Sequence, residues 1–284
     1  MPDIAFLIGD IRLARHDNHR RLPRAFAAAG WWVSEIPHEA LHLTPSGLRL
    51  GDHDPARFDL LWLLGMGPAD NFLDRMQLLR QLPQERCVVP VDALVYWHAK
   101  YAWWAHMPPT YASRDAEFLK ARLAAGGDWV IKPGAGSFGR DVLRISAGAA
   151  GSAAIDRLTD RGRRYAVLQR YASEIEQGEK RTLVAGGRLV GSYLRRAEGD
   201  LRSNLAVGGT PHPTTLSAGE RELVTGLAGD LERRGVGFAA VDVAYPYLIE
   251  VNLANPGGLA TLEALYGSDP TPHVVEAIVR SRGF

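Results

Sequence analysis

The stretch GFAAVDVAYPYLIEVNLANPGG, residues 237 to 258, reads as two apolar strands around a turn that contains Pro246. Glu250 and Asn252 are two apart and therefore share one face of their strand. With Tyr245-Pro246-Tyr247 as the loop, Asp242 pairs with Glu250, Ala240 with Asn252, Val241 with Val251 and Val243 with Ile249. That register turns the valines and isoleucine to a core and clusters Asp242, Glu250 and Asn252 on the other face. A two-residue loop divides the trio, because a one-residue slip flips every side chain. Two carboxylates and an amide oxygen are hard donors that suit Mg²⁺ shared with substrate phosphates. The alternative is an ordinary half-exposed hairpin with a polar outer face. Facing carboxylates repel unless a cation or solvent separates them. No Lys or Arg lies within the hairpin to relieve them, which favours the metal.

Upstream, VIKPGAGSFGRDVLRI, residues 130 to 145, reads as strand, glycine-rich turn, strand. Gly134, Gly136 and Gly139 let backbone N–H groups approach an anion closely. Lys132 ends the first strand and brings an ammonium to the same place. The pattern is neither a Walker loop, since GxxxxGK[ST] is absent, nor a Rossmann fingerprint, since a strand follows instead of a helix. An ordinary hairpin loop remains the competing reading of these residues. Lysine is scarce here: Lys100, Lys120, Lys132 and Lys180 are the only four among 33 basic residues. A lysine kept in such a chain suggests a place that wants a compact ammonium.

The first ninety residues alternate strands (Ile4–Ile8, Trp31–Ile36, Leu60–Leu64, Cys87–Val91) with helices (Arg20–Ala29, Phe72–Leu82), the pattern of a mostly parallel open sheet. A helical segment at Tyr96–His106 leads to Pro108-Pro109. After that break the pattern predicts helix Asp115–Ala125, strands Trp129–Lys132 and Val142–Ile145, helix Ala153–Arg161 and strand Tyr165–Gln169. Strands Arg181–Val184 and Leu189–Leu194 form a hairpin on Gly186-Gly187. Ala197–Pro213 lacks periodicity and reads as a long functional lid. Helices Gly219–Arg234, Leu259–Leu265 and His273–Arg282 complete the pattern. The fold class expected is α/β, divided into residues 1–94, 95–168 and 169–284.

Composition excludes several classes. With 33 basic and 32 acidic residues the net charge is +1, no field for nucleic acid or an anionic membrane. No apolar run reaches the roughly 20 residues that cross a bilayer. The start, MPDIAFLIGDIRLARHD, reads as a first strand and lacks the cationic lead of a signal peptide. Cys87 is the single cysteine, so a cytoplasmic, reducing setting is expected, with Cys87 buried in a strand. His38 and His42 lie on a short stretch between prolines and do not form a zinc pair. The aromatic run Tyr96–Trp104 reads as packing against a sheet; stacking on bases is the minor alternative.

Taken in order, Lys132-Pro133, the glycine turn, Gln169-x-Tyr171, Gly178-Glu179-Lys180-Arg181, Arg202-x-Asn204-Leu205-Ala206-x-Gly208-Gly209 and Asp242…Glu250-x-Asn252-x-x-x-Pro256 form a set. Each motif is weak alone, but the ordered set resembles the ATP-grasp half of bacterial glutathione synthetases over residues 95 to 265. The resemblance implies an ATP-grasp fold and a carboxylate–amine ligase working through an acyl phosphate. It implies that Lys100 and Lys132 contact ATP phosphates while Gly136, Ser137, Phe138 and Gly139 close over them. Gln169 and Tyr171 lie along adenine and Glu179 takes ribose hydroxyls. Arg181, Arg196 and Asn204 face the transferring phosphate, with Arg202 on the lid. Asp242, Glu250 and Asn252 hold two Mg²⁺ ions, or Mn²⁺ in their place. The substrates implied are a small-molecule carboxylate donor, γ-glutamylcysteine or similar, and a small amine such as glycine. Related ligases are commonly homo-oligomers. Phosphoryl transfer rests on positioning and charge neutralisation, which this residue set supplies.

The resemblance thins in the first third. The family carries a basic residue, an acidic residue and two prolines after its third strand; here the chain reads Leu64-Gly65-Met66-Gly67-Pro68-Ala69-Asp70, with no base. The turn Gly136–Arg140 is also similar to that of amino-group-carrier ligases related to lysine biosynthesis. A ligase of another specificity therefore stands beside the first reading, and a non-catalytic nucleotide-binding protein behind both.

Overall fold

The computed structural model describes residues 1–9, 16–68, 70–98, 100–134, 141–196 and 209–284. Gly136, Ser137, Phe138, Gly139, Arg202 and Asn204 lie outside the described residues.

The N-terminal strands are β1 (Asp3–Ile8), β2 (Trp32–Pro37), β3 (Leu41–Thr44), β4 (Gly47–Leu50) and β5 (Leu60–Leu64), with helices α1 (Asn18–Ala28) and α2 (Phe72–Leu79). β1 lies between β2 and β5, parallel to both, and β3 with β4 makes a separate hairpin. The parallel sheet is as expected, but Cys87–Val91 contributes only a single bridge, Cys87 to Leu61. Cys87 is nevertheless buried, and burial pushes its thiol up to about 12. The β3–β4 hairpin was not expected, because its strands are short and half exposed. The segment around residues 93–106 is not one helix. It forms a π turn at Ala93–Trp97 and a 3₁₀ turn at Trp104–His106. Trp103 is buried there, and its indole N–H donates to the Trp97 carbonyl at 2.7 Å.

A small unit follows: β6 (Thr110–Ser113), α3 (Ala116–Ala124), β7 (Trp129–Pro133), β8 (Leu143–Ile145), α4 (Ala149–Thr159) and β9 (Ala166–Arg170). Its antiparallel sheet runs β6-β9-β7-β8. Leu119, Leu123, Ile131, Ile155 and Leu168 form a core of its own under the two helices. Asp115 caps α3 by accepting from the N–H groups of Glu117 and Phe118.

The last unit holds β10 (Glu179–Ala185), β11 (Arg188–Arg196), β12 (Thr210–Pro213), α5 (Ala218–Arg233), β13 (Phe238–Ala244), β14 (Tyr247–Asn252), α6 (Leu259–Tyr266) and α7 (Thr271–Ser281). The sheet order is β12-β11-β10-β13-β14. Gly186 and Gly187, both at positive φ, make the expected β10–β11 turn. Ser217 and Glu220 close a capping box on α5. Part of the expected lid is ordered differently: Thr210–Pro213 pairs with β11 as an edge strand. This unit shares a continuous core with the N-terminal sheet, where Trp62 meets Phe238 edge to face. No helix among the described residues is long and apolar enough to cross a membrane.

The decisive hairpin carries a correction. Its loop is the two residues Tyr245 and Pro246, closed by Ala244 against Tyr247. A bulge after Asp242 shifts the register, so Val243 faces Leu248 in place of Ile249. The bulge absorbs the extra residue, so Ala240–Asn252, Val241–Val251 and Asp242–Glu250 keep the expected pairing despite the shorter loop.

Candidate functional site

The site begins as a row across the large sheet. Tyr193 on β11 faces Arg181 on β10, Arg181 faces Asp242 on β13, and Asp242 faces Glu250 on β14. Glu179 and Arg195 pair one step along the same face. Period-two alternation therefore gathers Glu179, Arg181, Arg195, Asp242, Glu250 and Asn252 on one side of the sheet.

Asp242 is fully buried, and its carboxylate is gripped by two guanidinium groups. Arg181 donates from Nε to Oδ1 at 2.7 Å and from Nη2 to Oδ2 at 2.6 Å; Arg195 reaches Oδ2 at 2.8 Å. Burial alone pushes Asp242 up, but Arg181 and Arg195 outweigh it and hold the carboxyl below its ordinary value. Arg195 also pairs with Glu179, and both side chains are buried. The sequence reading found no cation inside the hairpin; the structure supplies two from the neighbouring strands. Arg195 was not singled out, because an arginine-rich chain hides it and because only the β10–β11 register reveals its partner.

Asn252 joins the carboxylates. Its Nδ2 donates to Asp242 Oδ2 at 3.2 Å and to Glu250 Oε2 at 3.3 Å. A half turn of the amide exchanges its nitrogen for its oxygen, so one position can bridge the carboxylates by N–H or present a third oxygen with them. Two carboxylates and an amide oxygen on one face fit a hard divalent cation of the Mg²⁺ kind. Among the described residues no cluster of three His, Cys, Asp or Glu offers a softer site.

Across from this row stand the lysines. Lys132 lies one residue before the end of β7, buried, with its ammonium donating to Gln169 Oε1 at 3.0 Å, while Gln169 Nε2 donates to Thr110 Oγ1 at 2.8 Å. Burial, reinforced by the charge of Lys100, lowers Lys132 to about 8. The Lys100 ammonium lies 3.9 Å from Glu250 Oε1. Gln169 is thus a positioner of Lys132, a role its sequence motif did not reveal. Tyr171 sits under the Arg144 guanidinium, 3.9 Å from ring centre, and its hydroxyl donates to Glu176 at 3.0 Å. Arg196 ends β11, exposed, beside Thr210. Lys180 turns elsewhere, to Glu220 Oε2 at 2.7 Å and the Thr215 carbonyl at 2.9 Å, and secures the start of α5.

The N-terminal sheet reaches the same place. Gly65 N–H donates to the Ala254 carbonyl at 2.8 Å. Asn18 Nδ2 donates to Asn255 Oδ1 and the Pro256 carbonyl at 2.9 and 3.0 Å. Arg75 folds back from α2 beneath the loop after β5 and donates to the carbonyls of Met66 and Pro68. That loop carries no base of its own, yet a buried guanidinium supports it. An open hollow of about 380 Å³ lined by Arg114, Glu117, Asp156 and Arg161 lies in the small unit and holds none of these residues.

The model of the prokaryotic glutathione synthetase ATP-grasp domain matches residues 99–267 of the chain. The chain belongs to that family. It is 33% identical over 235 residues to the glutathione synthetase of Parasynechococcus marenigrum (strain WH8102), a match spanning 78% of this chain and 75% of that protein. It is 37% identical over 174 residues to the glutathione synthetase of Xanthomonas campestris pv. campestris, spanning 60% and 55% of the two chains. Among solved structures, the D-cycloserine synthetase DcsG superposes over 99% of both chains with a TM-score of 0.70 at 17% identity, a likeness of fold. The protein is an ATP-grasp enzyme, an ATP-dependent carboxylate–amine ligase that uses ATP with a divalent metal.

Proposed function

We propose that the chain joins an amino-acid-type carboxylate donor to a small amine through an acyl phosphate, with γ-glutamylcysteine and glycine the first pair to test. The observation that carries this reading is the opposition of Lys100 and Lys132 to the Asp242–Glu250–Asn252 face, with Lys100 3.9 Å from Glu250. Cations above and oxygen donors below are what a terminal phosphate needs on its two sides. Asp242, Glu250 and Asn252 would hold Mg²⁺, two ions in this reading, with Mn²⁺ an alternative. Bound there, the metal neutralises phosphate charge. Lys100 and Lys132 bind phosphate oxygens, and Gln169 and Tyr171 line adenine. Glu179, held by Arg195, meets the ribose. Arg181 fixes Asp242, and with Arg196 it turns positive charge toward the acyl phosphate. Gly136, Ser137, Phe138, Gly139, Arg202 and Asn204 complete the set as residues that cover the phosphates and exclude water. We divide the chain functionally as 1–94 for the donor, 95–168 for the nucleotide cover and 169–284 for the metal and phosphates.

A second specificity is favoured by one observation. The loop after β5 lacks the base that the family's pattern carries there and rests on Arg75 from below, which supports a donor other than γ-glutamylcysteine. ADP release by the purified chain, measured over paired donors and amines, tests both readings. Turnover with γ-glutamylcysteine and glycine supports the first and turnover only with other pairs supports the second. Nucleotide binding with no turnover across the panel refutes ligation.

A further inference from the structure

His16 lies just before α1, near the C-terminal end of β1, at the edge where open parallel sheets receive their ligands. Its Nε2 is 3.0 Å from the Asn255 carbonyl oxygen. A carbonyl oxygen only accepts, so Nε2 carries the hydrogen, and Nδ1 of the neutral ring presents a lone pair. That Nδ1 is buried and has no hydrogen-bond partner among the described residues.

The other edge of the ring packs on Gly257, where an added Cβ would fall 2.8 Å from His16 Cδ2. Gly257 offers its carbonyl to Arg181 Nη1 at 3.3 Å, and the same guanidinium grips Asp242. His16 is therefore one residue removed from the proposed metal face. Among the described residues, the charged and titratable groups around it are Asp17, His19 and Arg181. Burial outweighs the favourable carboxylate and keeps the ring neutral.

We propose that His16 is a substrate-binding residue whose Nδ1 accepts a hydrogen bond from an ammonium or amine N–H of a substrate. An acceptor buried without a donor is a defect in the ligand-free protein and becomes a contact when an N–H arrives. A carboxylate, which donates nothing at neutral pH, cannot satisfy it. The inference rests on the ligase reading, which brings an amine to this site. The same ammonium chemistry has two sources: the attacking amine, or the amino group of an amino-acid-type donor.

Long-range proton–nitrogen correlation spectra of the full chain report His16 Nδ1 directly and need no turnover. Glycine, γ-glutamylcysteine and acetate serve as probes, each with magnesium and a non-hydrolysable ATP analogue. The Nδ1 resonance is expected to move with glycine if the attacking amine is the source, with γ-glutamylcysteine if the donor is, and with acetate in neither case. In steady state, His16→Gln keeps an amide N–H for Asn255 and loses the Nδ1 acceptor. It should raise KM for the responding substrate about tenfold with KM for ATP unchanged. His16→Asn, which keeps a polar atom near Nδ1, should recover part of that loss. A resonance that ignores both amines, or moves equally with acetate, overturns the assignment. A chain whose Nδ1 responds while no substrate pair releases ADP refutes the ligase reading and leaves His16 as an amine-binding residue.

Discussion

With Lys132 as a phosphate ligand, as proposed, nucleotide binding becomes a proton-linked event. The residue is 8% exposed, its ammonium donates to the neutral Gln169, and Lys100 adds a like charge. Lowering the group from 10.5 to about 8 corresponds to about 3 kcal/mol at about 1.4 kcal/mol per pKa unit. In the ligand-free chain the unfolded lysine holds its proton to 10.5, while the folded one releases it near 8. Between these values the unfolded state binds more protons, so ligand-free stability rises with pH across that window. Nucleotide binding follows the opposite sign, because the polyphosphate prefers the charged lysine.

Binding should therefore take up about half a proton at pH 8 and nearly a whole one by about pH 9.5. Affinity should fall up to about tenfold per pH unit above pH 8. Titration calorimetry of a non-hydrolysable ATP analogue with magnesium, in pairs of buffers of different ionisation heat, measures the uptake at each pH. Lys132→Met should abolish it, and Lys100→Met, which removes the like charge, should move the inflection upward. Uptake that stays flat from pH 7 to 9.5, or that persists in Lys132→Met, refutes the linkage.

Other substitutions separate chemistry from architecture. Glu250→Gln, at a half-exposed side chain, should cut kcat/KM about 100-fold or more and leave the urea midpoint near that of the parent. Asp242→Asn leaves Arg181 and Arg195 facing a neutral amide in the interior, and should cost about 3–5 kcal/mol in urea unfolding besides abolishing activity. Lys180→Met should cost about 1 kcal/mol with nucleotide affinity unchanged, because Lys180 serves the α5 cap. Gly134→Ala places a Cβ 1.8 Å from the Tyr101 hydroxyl, and should weaken nucleotide binding about tenfold in equilibrium titrations, with Tyr101→Ala in the same chain restoring it.

Much of this arrangement was legible because it depends on strand alternation. Pairing Asp242 with Glu250 and Ala240 with Asn252 required only that the valines stay inside, and the bulge preserved that requirement although the loop was one residue shorter. The open sheet was legible for the same reason: Leu60–Leu64 is apolar at every position, as a strand covered on both faces must be. What stayed hidden depends on contacts between strands distant in sequence. Arg195 becomes meaningful only beside Glu179 and Asp242. Arg75 becomes meaningful only when α2 folds back beneath the loop after β5. The run around Tyr96–Trp104 offered apolar spacing suited to a helix, but burying Trp103 and Met107 there breaks it into a π turn and a 3₁₀ turn.

The two carboxylates facing the lysines are not equivalent, and the difference assigns their work. Asp242 has its charge compensated twice over by buried arginines, so it contributes shape and a fixed oxygen while attracting a free cation only weakly. Glu250 is half exposed, and Lys100 lies at the limit of ion-pair distance. It keeps more of its charge for whatever arrives. Around them the cations Lys100, Lys132, Arg181 and Arg195 outnumber the carboxylates Glu179, Asp242 and Glu250 among the described residues. A face with that balance repels a bare divalent ion and draws a polyphosphate. On the proposed reading the nucleotide would bring its metal with it: Lys100 and Lys132 would meet the phosphates, and Asp242, Glu250 and Asn252 would hold the cation once the Asn252 amide presents its oxygen in place of its N–H groups. On that reading the two sides of the site would answer to one ligand, which carries the anionic phosphates and the cation together.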